Sequence, residues 1–119
     1  MPDRTASAPN EADRFARARE KQAVALLEDY VELIGDLIAE AGGARVADIA
    51  HRMGVAQPTA TKTVARLKRE GLATSRPYRG VFLTDAGAEL ATRVRARHRT
   101  VVELLVAVGV PEATSIAKL

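Results

Sequence analysis

Apolar residues recur at steps of three and four along the first third of the chain: Leu26, Leu27, Tyr30, Val31, Leu33, Ile34, Leu37 and Ile38. That is the helical period. It predicts a long helix from about Ala12 to Ala41, closed by Gly42 or Gly43. Val46, Ile49, Ala50 and Met53 then share one face of a short helix, with Gly54 placed to end it. A third helix opens at Pro58, whose missing N–H costs nothing in a first turn. Val64 and Leu67 supply its buried stripe, and Gly71 closes it. The pattern then turns extended. Leu72 to Ser75 and Val81 to Leu83 read as two short strands joined by "RPYRG". Thr84 and Asp85 offer an N-cap for a last long helix. Leu90, Val94, Val101, Leu104, Leu105 and Val108 can line one stripe of it, and Gly109 stops it.

Two short helices around a tight glycine turn, followed by a hairpin, make a winged helix-turn-helix. The expected fold is therefore mainly α with a small β-hairpin: a winged helix-turn-helix DNA-binding domain plus a long C-terminal helix. The expected division is a disordered tail over 1–12, the winged domain over 13–84, a linker or dimerisation helix over 85–109, and a short tail over 110–119. At 119 residues the chain fits one domain with a modest core. There is no cysteine, so disulfides and thiolate zinc sites are excluded. The start of the chain has no secretory apolar region, and no apolar run approaches the roughly 20 residues that span a bilayer. A cytoplasmic location, with no membrane partner, is the expectation.

Charge sharpens this picture. The formal net charge is only +3. Residues 45–80, however, hold eight arginines and lysines against two acids, Asp48 and Glu70. A helix N-terminus already presents unpaired N–H groups and positive potential. Gln57, Pro58, Thr59 and Thr61 open the third helix with short polar groups that can reach phosphates or base edges in a major groove. Lys62 and Arg66 can neutralise phosphates, while Arg76 and Arg79 flank the wing tip, placed for a phosphate or a minor groove. Each cation alone also suits an ordinary solvated surface; the ordered combination points to double-stranded DNA.

A second constellation involves carboxylates. Asp29 and Glu32 are three apart on the first helix and share a face. Two carboxylates beside a buried stripe repel unless a cation or proton lies between them. His98, on the last helix, could complete a set suited to Mn²⁺, Fe²⁺ or Zn²⁺ rather than Cu⁺. The same residues also suit a solvated face, and His98 stands among Arg95, Arg97 and Arg99. Glu28, Asp36 and Glu40 read as solvated face. No H-E-x-x-H, P-loop or nucleophile-elbow pattern supports a hydrolase, so the chain reads as a non-enzyme.

These residues carry a resemblance. "LLEDYVELIGDLIAEAGGARVADIAHRMGVAQPTATKTVARLKREGL", then "YRGVFLTDAG" and "RHRTVVELLVAVGV", resemble manganese-responsive members of the diphtheria-toxin-repressor (DtxR) family of metal-dependent repressors. The similarity runs from about Leu26 to Val110. It implies a homodimer that binds a palindromic operator when loaded with Mn²⁺ and represses manganese uptake genes. It also implies metal ligands at Asp29, Glu32 and His98. Family members continue past the positions of Gly109 and Val110 into a helical dimerisation domain, which supplies a Glu-x-x-Glu-His ligand pattern. This chain ends at Leu119 without that pattern, so three ligands would leave an open site and the dimer would be weakened. A metal-independent winged-helix module, or a competitor of a full-length regulator, is the alternative expectation.

Overall fold

A computed structural model of the chain describes residues 10–109. The expected tails, 1–12 and 110–119, lie outside these residues except for residues 10–12. Helix α1 spans Glu11–Ala41, starting one residue before the position that periodicity suggests. The reason is local: Asn10 accepts from the Asp13 backbone N–H, and the Asp13 carboxylate accepts from the Asn10 N–H, a capping box. Gly42 ends the helix in the left-handed conformation at φ 79°.

Helices α2 (Val46–Met53) and α3 (Gln57–Arg69) follow, with Gly54 turning the chain between them. Strands β1 (Ala73–Arg76) and β2 (Gly80–Leu83) pair antiparallel, Ala73 opposite Leu83 and Arg76 opposite Gly80. An isolated bridge joins Ala44 to Val81, where the Val81 N–H donates to the Ala44 carbonyl at 2.8 Å. The hairpin is thereby fastened to the α1–α2 turn. Helix α4 (Asp85–Ala107) starts at Thr84, whose hydroxyl accepts from the Gly87 N–H and donates to the Gly71 carbonyl.

One core lies where α1 meets the rest. Tyr30, Val31 and Ile34 of α1 are buried against Ile49 of α2, Val64 and Leu67 of α3, and Val81 of β2. Helix α4 packs along α1 through Ala91 and Val94, both buried. The stripe expected along α4 is covered only in its first half: Val101, Leu104 and Val108 are exposed. The first three turns of α1, Glu11 to Gln22, are likewise exposed. This is a winged helix-turn-helix with two long helices extending from it.

Candidate nucleic-acid interface and metal centre

The helix-turn-helix presents its polar start outward. Packing of Ala60, Val64 and Leu67 into the core fixes the roll of α3 about its axis. That rotation leaves Gln57, Pro58, Thr59, Thr61 and Lys62 exposed. Thr63, one residue on, is buried instead. No side chain caps α3, and its first turn holds no acid, so its N-terminal dipole is uncompensated. The Thr61 hydroxyl donates back to the Gln57 carbonyl at 3.0 Å, which leaves its oxygen lone pairs free to accept.

The predicted cations differ in availability. Among the described residues, Lys62 and Arg79 make no ion pair. Arg66 is held: its Nη2 lies 3.4 Å from Glu20 Oε1 and 3.9 Å from Glu70 Oε1. The Arg76 guanidinium sits 4.6 Å over the Phe82 ring, which orients it along the wing.

On the other face, α1 and α4 meet through charge. His98 Nδ1 approaches Glu32 Oε1 at 3.2 Å, with the imidazole about two-thirds covered. Arg97 pairs with Glu28 at 2.8 Å, and Arg95 pairs with Asp36. Glu28 and Asp36 thus pair with arginines of α4 rather than simply facing water, as their sequence setting suggests. Their signal was a four-residue acidic step, Glu28, Glu32, Asp36, Glu40, which marks one helix face. Glu40 pairs in turn with Arg52 of α2.

Asp29 completes the set less closely. Partial burial raises its carboxyl above the usual range; His98 pulls it back down, while Glu32 and Glu28 push it further up. The residue as a whole remains exposed, so solvent screening keeps the effect of this shift on fold stability small. Two carboxylates and an imidazole are the right donors for a hard-to-borderline divalent ion. Among the described residues, however, no three His, Asp or Glu side chains stand grouped tightly enough to hold one. The structure brings Glu32 and His98 together, and leaves Asp29 in electrostatic reach of both.

A family model described as "Iron dependent repressor, N-terminal DNA binding domain" matches residues 23–81. The chain belongs to the iron-dependent repressor family. The match takes in α1 from Ala23, the helix-turn-helix and the wing up to Val81, and so both Asp29 and Glu32. The "Transcriptional regulator MntR" of Escherichia coli O157:H7 is 49% identical over 96 residues, covering 81% of this chain and 62% of that protein. This chain therefore spans under two thirds of that regulator's length. Solved structures agree on the fold. IdeR of T. acidophilum has a TM-score of 0.66 at 26% identity, covering 75% of this chain and 44% of that one. The manganese regulator SloR has a TM-score of 0.62 at 28% identity, covering 68% and 38%. The matching MntR proteins are named as regulators of transcription, not as enzymes, in line with the non-enzyme reading of the sequence. Among the described residues, no helix is long and apolar enough to cross a membrane.

Proposed function

We propose that this chain is a Mn²⁺-responsive, DNA-binding transcriptional repressor of manganese uptake genes, working in the cytoplasm. One observation carries the reading. An exposed, uncapped cationic helix start and a Glu32–His98 contact between α1 and α4 occur in one small domain.

On the DNA side, Gln57, Thr59 and Thr61 meet base edges in the major groove, and Pro58 sets the helix start. Lys62, Arg76 and Arg79 neutralise phosphates, which places the domain without reading sequence. Arg66 contributes only when Glu20 and Glu70 release it. On the sensing side, Asp29, Glu32 and His98 would hold the ion. A bound divalent cation would supply positive charge between the carboxylates of α1 and the imidazole of α4. Buried Ala91 and Val94 hold α4 on α1 beside the Glu28–Arg97 and Asp36–Arg95 pairs, so a change at Glu32 and His98 would be passed to the angle between α4 and the winged domain. Sensing is then a coupling free energy between two sites.

The partner is a palindromic duplex, met by a homodimer. Val101 and Leu104, with Val108 at the helix end, leave an apolar stripe on the outer half of α4, which a second copy would cover. Mn²⁺ equilibrium dialysis tests the sensing half: micromolar binding by the wild-type chain, lost in Glu32→Ala, is expected. No bound Mn²⁺ would favour the second reading, a metal-independent winged-helix module or a competitor of a full-length regulator. The loose grouping of Asp29 with Glu32 and His98 speaks for that alternative, and Fe²⁺ and Zn²⁺ belong in the same titration.

A further inference from the structure

Tyr78, at the wing tip, is 95% exposed and is the one non-glycine among the described residues with a positive φ, 64°. The Arg79 N–H donates to the Arg76 carbonyl at 3.1 Å, closing a four-residue turn. Pro77 at the second position and positive φ at the third mark it as type II, whose third position ordinarily holds glycine or asparagine. A bulky aromatic there carries backbone strain. Single exposed apolar residues need no explanation by themselves. A strained one that gains no cover from the rest of the protein does.

The surroundings hold the strain in place. Arg45, at the start of α2, donates from Nη2 to the Tyr78 carbonyl at 3.2 Å. Backbone packs directly on backbone beneath the turn: a Cβ added at Gly80 would meet the Ala44 carbonyl oxygen at 2.6 Å, and one at Gly43 would meet the Arg79 carbonyl oxygen at 2.6 Å. The ring is thus presented on a fixed arm. Arg76 and Arg79 flank it, and the hairpin from Ala73 to Leu83 contains no acid. An aromatic with an apolar body and a hydroxyl tip, framed by two cations, matches a nucleic-acid groove better than an acid-free or apolar protein surface.

We propose that Tyr78 is a DNA-contact residue: its ring lies in the minor groove against the deoxyribose walls and supplies a salt-independent share of operator affinity. This rests on the DNA-binding reading above and adds a contact that charge alone does not provide. The flanking arginines bring the wing to the phosphates; the ring then reads groove width, the property that varies with sequence there.

The chain contains two tyrosines, Tyr78 and the buried Tyr30, so fluorotyrosine labelling gives two ¹⁹F resonances with an internal reference. The probe is a duplex selected from a random pool by the full wild-type chain with Mn²⁺. Adding it is expected to shift the Tyr78 resonance and leave Tyr30 unmoved. Tyr78→Gly relieves the strained φ, so its thermal midpoint is expected to hold or rise. Its affinity is expected to fall about tenfold, the scale of one aromatic contact to nucleic acid, with an unchanged slope of log affinity against log salt. Tyr78→Phe keeps the ring and most of the affinity. An unmoved Tyr78 resonance at saturating duplex, a Tyr78→Gly affinity within about twofold of wild type, or a loss that comes with a shallower salt slope overturns the proposal. Failure of the wild-type chain to select any duplex overturns the DNA-binding reading as well, and is distinguishable because it appears before any variant is made.

Discussion

His98 Nδ1 lies 3.2 Å from Glu32 Oε1, joining α4 to α1 across 66 positions of sequence. Neither side chain belongs to the apolar core, and both keep some solvent access. Removing either therefore changes what can bind between the helices more than it changes the fold. Glu32→Ala and His98→Ala are each expected to weaken Mn²⁺ binding by at least about tenfold, the scale of one lost ligand or its supporting contact. Helix content by circular dichroism should stay at the wild-type level. Full Mn²⁺ affinity in either variant would remove these residues from the site.

The flanking ion pairs are expected to contribute little alone. Arg97 is mostly exposed, while Glu28 is mostly covered. Exposed pairs are typically worth up to about 1 kcal/mol. Arg97→Ala should lower unfolding free energy in urea by no more than that. The loss should shrink in high salt, which screens such pairs.

Salt titration of DNA binding separates the two cations of α3. Lys62 is exposed and unpaired among the described residues, whereas Arg66 is engaged by Glu20 and Glu70. Lys62→Ala should reduce the slope of log affinity against log salt by about one phosphate contact, near 0.9. Arg66→Ala should change it less. Equal changes would mean that Glu20 and Glu70 let go of Arg66 when DNA arrives.

The start of α4 tolerates no side chain at Gly87. A Cβ there would fall on the carbonyl of Leu72, which already accepts from the Thr84 N–H at 3.1 Å. Gly87→Ala should cost about 1–3 kcal/mol, as overpacking does. It would show as a lower thermal midpoint. A neutral effect would mean that the turn before α4 shifts freely.

Local chemistry made most of the fold legible. Gly42, Gly54, Pro58 and Thr84 stand at the helix ends where cap and turn rules put them, because those rules act within a few residues. Docking between distant segments was not legible. Glu28, Asp36 and Glu40 read as solvated face because their arginine partners lie far along the chain. Leu104 and Val108 fit the apolar stripe of α4, but periodicity says nothing about whether a covering surface exists. The hairpin could be read from "RPYRG", whereas the left-handed backbone at Tyr78 could not, since a tyrosine gives no reason to expect it.

The exposed set at α3 is the part of the DNA reading that sequence carried furthest: Thr59, Thr61 and Lys62 face solvent while Thr63 turns inward. Their exposure follows from the core side chains of the same helix, which fix its roll.

The coupling of metal to DNA binding is tested most directly by fluorescence anisotropy of a selected duplex against the full chain, with and without Mn²⁺, for wild type and Glu32→Ala. Wild type should bind at least about fivefold more tightly with Mn²⁺, the lower end of usual coupling energies. Glu32→Ala should bind equally with and without the metal. Wild-type affinity that ignores Mn²⁺ would contradict the sensor account and leave a metal-independent DNA-binding module.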